Sequence, residues 1–169
     1  MKARLILIAV VAVAALAGAG VAAASHLRGT DGADSIIGTF RHDVIAARAG
    51  DDTVDAEAGN DRVWGGAGDD RLLGGGGNDV LHGGKGNDVV DGGDGNDVIW
   101  VGAGADRENG GPGDDVLHAL ANDNEVDAVD CGPGNDVAYE NPKEHDEFVG
   151  CEKVIVRAPT PQETADETG

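Results

Sequence analysis

Ten aspartates stand nine residues apart: Asp34, Asp43, Asp52, Asp61, Asp70, Asp79, Asp88, Asp97, Asp106 and Asp115. A carboxylate is a hard oxygen donor, and repeating it in strict register repeats one chemical environment along the chain. Two residues before each aspartate stands glycine in nine of the ten copies, with Arg41 the exception. Two residues after it stands a large aliphatic in nine of the ten, with Glu108 the exception. The fullest copies read Gly-Gly-x-Gly-x-Asp, at 65–70, 74–79, 83–88, 92–97 and 110–115.

The elements that must position these carboxylates follow from the two halves of the unit. Gly-Gly-x-Gly-x-Asp suits a tight turn, because glycine reaches positive φ and leaves carbonyls uncovered. The remaining three residues, polar–aliphatic–variable, suit a minimal strand with one inward side chain. Two units make a coil of 18 residues with a strand on each side, and the strict repeats predict five coils, about 24 Å long at about 4.8 Å per strand. Aspartates then stack in two columns: Asp52, Asp70, Asp88, Asp106 on one edge, and Asp61, Asp79, Asp97, Asp115 on the other. Like charges about 5 Å apart repel in a poorly solvated turn. A divalent, oxygen-loving cation between turns relieves that conflict, taking a carboxylate from each turn and glycine carbonyls. This matches calcium, which wants about six to eight oxygens. Zinc would want His or Cys there and finds neither. The candidate ligands are these eight aspartates and the carbonyls of Gly66, Gly68, Gly75, Gly77, Gly84, Gly86, Gly93 and Gly95.

From about Gly29 to His118 the chain resembles the RTX (repeats-in-toxin) nonapeptide family, whose motif is G-G-x-G-x-D-x-U-x. The resemblance implies an all-β, right-handed parallel β-roll (a β-solenoid) that binds Ca2+ between coils. It implies ligand roles for Asp70, Asp79, Asp88, Asp97 and Asp115. The first units depart from the motif at Thr39-Phe40-Arg41, Ala47-Arg48 and Glu57, so ion binding is not expected before about Asp52. Val101 and the inward-position Glu108 predict an irregular coil at 101–109.

Composition narrows the function classes. The formal net charge is −20, and acidity on this scale argues against nucleic acid or an anionic membrane as partner. Five aromatic residues in so acidic a chain would ordinarily predict disorder, but the register of Asp with aliphatics argues for a fold. There is no H-E-x-x-H, and the only serines, Ser25 and Ser35, lie outside any G-x-S-x-G, so no enzyme is expected. No EF-hand loop is present, and the mixed outward positions do not make the flat Thr-rich ladder of an ice-binding solenoid.

The flanks are of a different kind. Residues 1–24 combine basic Lys2 and Arg4, an apolar run and the small-residue stretch Ala22-Ala23-Ala24, which predicts a signal peptide and a secreted, extracellular protein. An uncleaved anchor is the alternative. Cleavage would take the net charge from −20 to about −22 by removing Lys2 and Arg4. After residues 25–118 the register breaks for three residues and resumes at Asp127 and at 131–136. A slipped copy follows at Asp146 and Phe148, then a last strand at 154–156. Residues 119–157 are read as the cap that an open solenoid end requires. Its Cys131 and Cys151 are the only cysteines, expected as a disulfide in an exported protein, with free thiols the alternative. Residues 158–169 form an acidic tail, expected to be disordered.

The 18-residue coil also places Trp64, His82, Trp100 and His118 on one outward strip. Such a strip is either covered by the cap or is a contact face for a partner. A metal pair of His82 and His118 lacks further ligands. The expected function is therefore a secreted calcium-binding module that folds on calcium after export. The alternatives are an accessory or remnant of a secreted RTX hydrolase, and a calcium-dependent adhesion protein using the Trp64/Trp100 face.

Overall fold

The computed structural model describes residues 9–12, 25–121 and 123–161. Two parallel eight-stranded sheets face each other, and the chain alternates between them at every turn. One sheet holds β1 (Ala9–Ala12), β3 (Asp34–Thr39), β5 (Thr53–Glu57), β7 (Arg71–Gly76), β9 (Val89–Asp94), β11 (Arg107–Asn109), β13 (Ala128–Asp130) and β15 (Glu147–Val149). The other holds β2 (Ser25–Arg28), β4 (Asp43–Ala49), β6 (Arg62–Ala67), β8 (Val80–Lys85), β10 (Val98–Ala103), β12 (Val116–Ala119), β14 (Val137–Glu140) and β16 (Lys153–Val156). Each strand pairs with the one a full coil away, as Leu72 with Val54 and Val90. The result is an all-β solenoid of about seven turns with about 18 residues per turn.

Seven turns exceed the expected five because 119–157 adds rungs to both sheets. The three-residue break is absorbed between β12 and β13, after which Ala128 pairs with Arg107 and Val137 with Val116. The Cys131–Cys151 disulfide joins the last two coils. Of residues 1–24, expected to be a signal peptide, only Ala9–Ala12 is described, as a strand beside Asp34–Ile37; the rest of that segment and residues 162–169 of the expected tail lie outside the described residues.

The strands are longer than a three-residue strand and the core is thicker. Many run six residues, continuing through the first three turn positions, so that Gly66 pairs with Gly84 and Gly75 with Gly93. Two side-chain positions per strand therefore point inward. One is the aliphatic (Ile45, Val63, Leu81, Ile99 and Leu117 in one sheet; Ile36, Val54, Leu72 and Val90 in the other), and all are buried. The other is the first turn position, glycine in the full copies and at Gly29 and Gly38, but Ala47, Ala56, Val101, Ala119 and Cys131 in other turns, these five all buried. Each aliphatic so enclosed contributes roughly 1.5–3 kcal/mol.

The coil at 101–109 is regular, contrary to the sequence expectation. Glu108 pairs in register with Val90 on one side and Val129 on the other and is buried. Backbone pairing in a parallel ladder does not depend on the side chain, so the polar residue is carried inward by the register of its neighbours.

Candidate cation-binding site

Each ladder aspartate lies at the end of a turn, just before its strand, with its side chain turned inward and buried. From Asp52 onward its Oδ1 accepts a hydrogen bond from the backbone N–H of the aspartate one coil earlier, while Asp43 Oδ1 accepts from Ser25 N–H. The bonds from Asp34 to Asp52, Asp43 to Asp61, Asp61 to Asp79, Asp79 to Asp97 and Asp88 to Asp106 are 2.7 Å long. Those from Asp52 to Asp70, Asp70 to Asp88 and Asp97 to Asp115 are 2.8 Å. The pattern crosses the three-residue break, from Asp106 to Asp127 and from Asp115 to Asp136. The two expected columns are thus real, and the aspartate has a structural reason to be there: it latches coil to coil.

The second oxygen of the same carboxylates has no such partner. Oδ2 of Asp52, Asp61, Asp70, Asp79, Asp88, Asp97, Asp106 and Asp115 is buried without a hydrogen bond. Buried polar atoms are normally satisfied, so eight such oxygens in register ask for a ligand. Their surroundings are oxygen-rich. A Cβ built on Gly83 would lie 2.4 Å from Asp88 Oδ2 and 2.5 Å from the Val101 carbonyl of the next coil. On Gly92 it would lie 2.4 Å from Asp97 Oδ2 and 2.6 Å from the Gly110 carbonyl. The space beside Oδ2 therefore exists because the first turn residue has no side chain. Gly65, Gly74 and Gly110 leave the same space beside Asp70, Asp79 and Asp115. Before Asp52, Asp61 and Asp106 the first position is Ala47, Ala56 or Val101, whose side chains take it.

The glycine candidates all adopt the left-handed turn: Gly66, Gly68, Gly75, Gly77, Gly84, Gly86, Gly93 and Gly95 have φ between 98° and 137°. Their carbonyls point along the solenoid axis. A Cβ on Gly84 would meet the Gly66 carbonyl at 2.1 Å, and one on Gly86 the Gly68 carbonyl at 2.3 Å. The backbone bonds between turns run from the fourth-position N–H to the third-position carbonyl, as from Gly68 to Lys85 and from Gly77 to Asp94. None of them reaches the carbonyls of Gly68, Gly77, Gly86 or Gly95.

Electrostatics describe the same turns. Burial pushes the Asp88 carboxyl up to about 8 and those of Asp70, Asp97 and Asp106 to about 7. Asp61 and Asp115 are pushed to about 6, and Asp52 and Asp79 are also raised. The N–H bond from the preceding aspartate opposes burial in each case, and stacked carboxylates add to it in most. A divalent cation would reverse this balance. Among the described residues no group of three or more His, Cys, Asp or Glu side chains is placed to hold a metal. A cation here would draw most of its oxygens from the backbone, which suits calcium rather than zinc.

Two sets of residues escaped the sequence reading. The fifth position of the turn, treated as variable, forms its own exposed ladder: Asn60 Oδ1 accepts from Asn78 N–H, Asp69 from Asn87, Asn78 from Asn96 and Asn96 from Asp114. The signal was present as a column of Asn and Asp. The other set, Tyr139 and Arg157, extends the expected strip of Trp64, His82, Trp100 and His118, which is a continuous stack with centroids 5.6, 4.5 and 4.8 Å apart. Tyr139 extends it at 4.8 Å, and the Arg157 guanidinium lies over Tyr139 at 4.6 Å. The C-terminal segment thus covers one end, where His118 is buried, while Trp64 at the other end is 39% exposed.

The model of the RTX calcium-binding nonapeptide repeat (4 copies) matches the chain in overlapping stretches at 28–63, 37–72, 48–81, 73–108 and 100–138. No curated protein matches. The family match runs past His118 into the coils joined by the disulfide, in agreement with the aspartate latches that continue to Asp127 and Asp136. With the repeat, the parallel solenoid and the carbonyl-lined aspartate turns all in place, the chain belongs to the RTX calcium-binding nonapeptide repeat family.

Proposed function

We propose that this protein is an exported module that stays unfolded inside the cell and folds when it meets extracellular calcium. The RTX β-roll is a structural calcium-binding module rather than a catalytic fold. The observation that carries the finer reading is the row of buried, unpartnered Oδ2 atoms at Asp70, Asp79, Asp88, Asp97 and Asp115. Each faces a turn opened by a first-position glycine, and these five are the best candidate ligands, with the carbonyls of Gly66, Gly68, Gly75, Gly77, Gly84, Gly86, Gly93 and Gly95 beside them.

Without a cation the folded chain must bury these carboxylates against one another, on top of a net charge of −20. The core that opposes this cost is narrow, two inward positions per strand. Binding free energy then becomes folding free energy. Extracellular calcium modules bind at about 10⁻⁴ to 10⁻³ M, so the cytosol would leave the chain unfolded and the exterior would fold it. The apolar leader 5–17 behind Lys2 and Arg4 supports export.

Circular dichroism of the mature chain decides the reading. The expected result is a disordered spectrum in chelator and a β-sheet spectrum in millimolar calcium, with no such change in magnesium. Identical spectra in chelator and calcium would refute it.

A further inference from the structure

We propose that the exposed end of the aromatic ladder is a binding shelf for a planar aromatic anion, such as an aromatic carboxylate. The ladder is built from one outward position per coil of the even-numbered sheet. Its rings are nearly parallel, with interplanar angles of 8°, 4°, 11° and 11° from Trp64 to Tyr139. At the Tyr139 end it finishes under a guanidinium, that of Arg157. At the other end the same register continues from Trp64 to Ala46 and then to Arg28. Ala46 is a missing rung. The column keeps its ring at Trp64 and its guanidinium residue at Arg28, but the residue between them is a methyl group.

Two strand spacings separate the Arg28 and Trp64 rungs, about 9.6 Å, which leaves room for one ring in stacking contact on each face. A second copy of the Trp64–His82 contact is thus available to a ligand. The open indole is 39% exposed, whereas His82, Trp100 and Tyr139 are half-buried and His118 is buried. Stacking of a ring there also satisfies a guanidinium on its far side, as Tyr139 does for Arg157.

Charge selects the sign of the ligand. Beside Ala46 stands Val44, which pairs with His26 on one side and Arg62 on the other. The outward residues of β2, β4, β6 and β8 around the shelf are therefore His26, Arg28, Val44, Arg48, Arg62, Val80 and His82, with no carboxylate among them, although Arg48 is held by Asp31 at 2.8 Å. In a chain of net charge −20 this is a local reversal. A flat ring supplies the missing rung, and a carboxylate on its edge meets Arg28 or Arg62 in a charge-assisted bond.

The test uses the mature chain in calcium with 2-naphthoate as probe, read by the indole N–H resonances of Trp64 and Trp100. The expected result is a saturable shift of the Trp64 signal in the millimolar range or tighter, with Trp100 less affected. Cyclohexanecarboxylate, which cannot stack, should bind at least tenfold more weakly, and neutral 2-naphthalenemethanol at least threefold more weakly. Ala46→Trp places a ring on the empty rung and should abolish the shift; Ala46→Leu fills the same space and serves where the larger ring perturbs folding. Equal binding of naphthoate and cyclohexanecarboxylate, or naphthoate binding undiminished in the filled variants, would overturn the proposal. The shelf needs the roll folded, not calcium itself. Should circular dichroism show a folded chain in chelator, the calcium reading falls and the shelf is still tested.

Discussion

The backbone N–H of Asp70 donates to Oδ1 of Asp88, 2.8 Å away on the next coil, while Oδ2 of Asp88 is buried with no partner. One carboxylate thus has two separable roles. Asp88→Asn keeps the acceptor for Asp70 but removes the charge. In chelator this variant should be at least as stable as the parent chain, because burial no longer opposes an ionised group. In calcium it should lose affinity by tenfold or more, since a donor amide replaces a ligand oxygen. Asp88→Ala removes both roles and leaves the Asp70 N–H unsatisfied, at a cost of about 1–3 kcal/mol. Urea melts of both variants with and without calcium separate the latch from the ligand.

The raised carboxyls give the apo roll a pH dependence opposite to that of a salt-bridged protein. Asp70, Asp97 and Asp106 are held up at about 7 and Asp88 at about 8. An aspartate in the unfolded chain titrates near about 3.9. Folding is therefore linked to proton uptake: stability is fullest below the unfolded value and is lost as pH rises through about 4 to 8. In chelator, the β-sheet signal should grow as pH falls from 8 to 5. The midpoint of calcium binding, read by isothermal titration rather than by the β-sheet signal, should move to higher concentration over the same range, because protons and calcium compete for the same oxygens. A midpoint independent of pH would contradict this.

Two residues adopt the left-handed conformation of the second turn position without being glycine. Arg48 and Glu57 occupy the second turn position with φ of 91° and 75°. The left-handed region costs a residue with a Cβ roughly 1–2 kcal/mol. Glu57→Gly should raise the melting temperature, with a net gain of about 0.5–1 kcal/mol once the looser unfolded chain is counted. The reverse change, Gly84→Ala, should be severe. Its φ is 120°, and its Cβ would meet the Gly66 carbonyl at 2.1 Å, a backbone atom that cannot move aside. We expect a loss above about 3 kcal/mol and a weakened calcium response.

These particulars also mark what was legible in the sequence. The Asp and aliphatic columns were, because a side chain that must point inward in every coil repeats at the coil's own period. The inward first turn position was not, since glycine fills it in the best copies and only Ala47, Ala56, Val101, Ala119 and Cys131 betray it. The latch was hidden for another reason: a hydrogen bond from Asp70 N–H to Asp88 engages the backbone, which carries no residue signature. Tyr139 was missed because it stands 21 residues after His118 rather than 18, across the break that the solenoid absorbs between β12 and β13. Arg157 joins the stack over Tyr139 from just beyond β16, outside the strand register altogether.

Glu108 offers the sharpest test of how far the repeat tolerates its own exceptions. It occupies the inward aliphatic position between Val90 and Val129, and both of its carboxylate oxygens are buried without a partner. Burial holds its carboxyl well above the usual range, with Asp127, Asp106 and Asp146 adding to the effect. No strand geometry requires this residue, since its backbone pairs as its neighbours' do. Glu108→Val should therefore restore the column and stabilise the roll by about 1–3 kcal/mol, the usual cost of an unsatisfied buried polar group. Glu108→Gln, which keeps the volume and the polarity but cannot ionise, separates the cost of ionisation from that of the polar group. Were Gln to stabilise as much as Val, charge alone would be the burden; were it to stabilise less, the unpaired polar group itself would be. The comparison needs only thermal melts in saturating calcium.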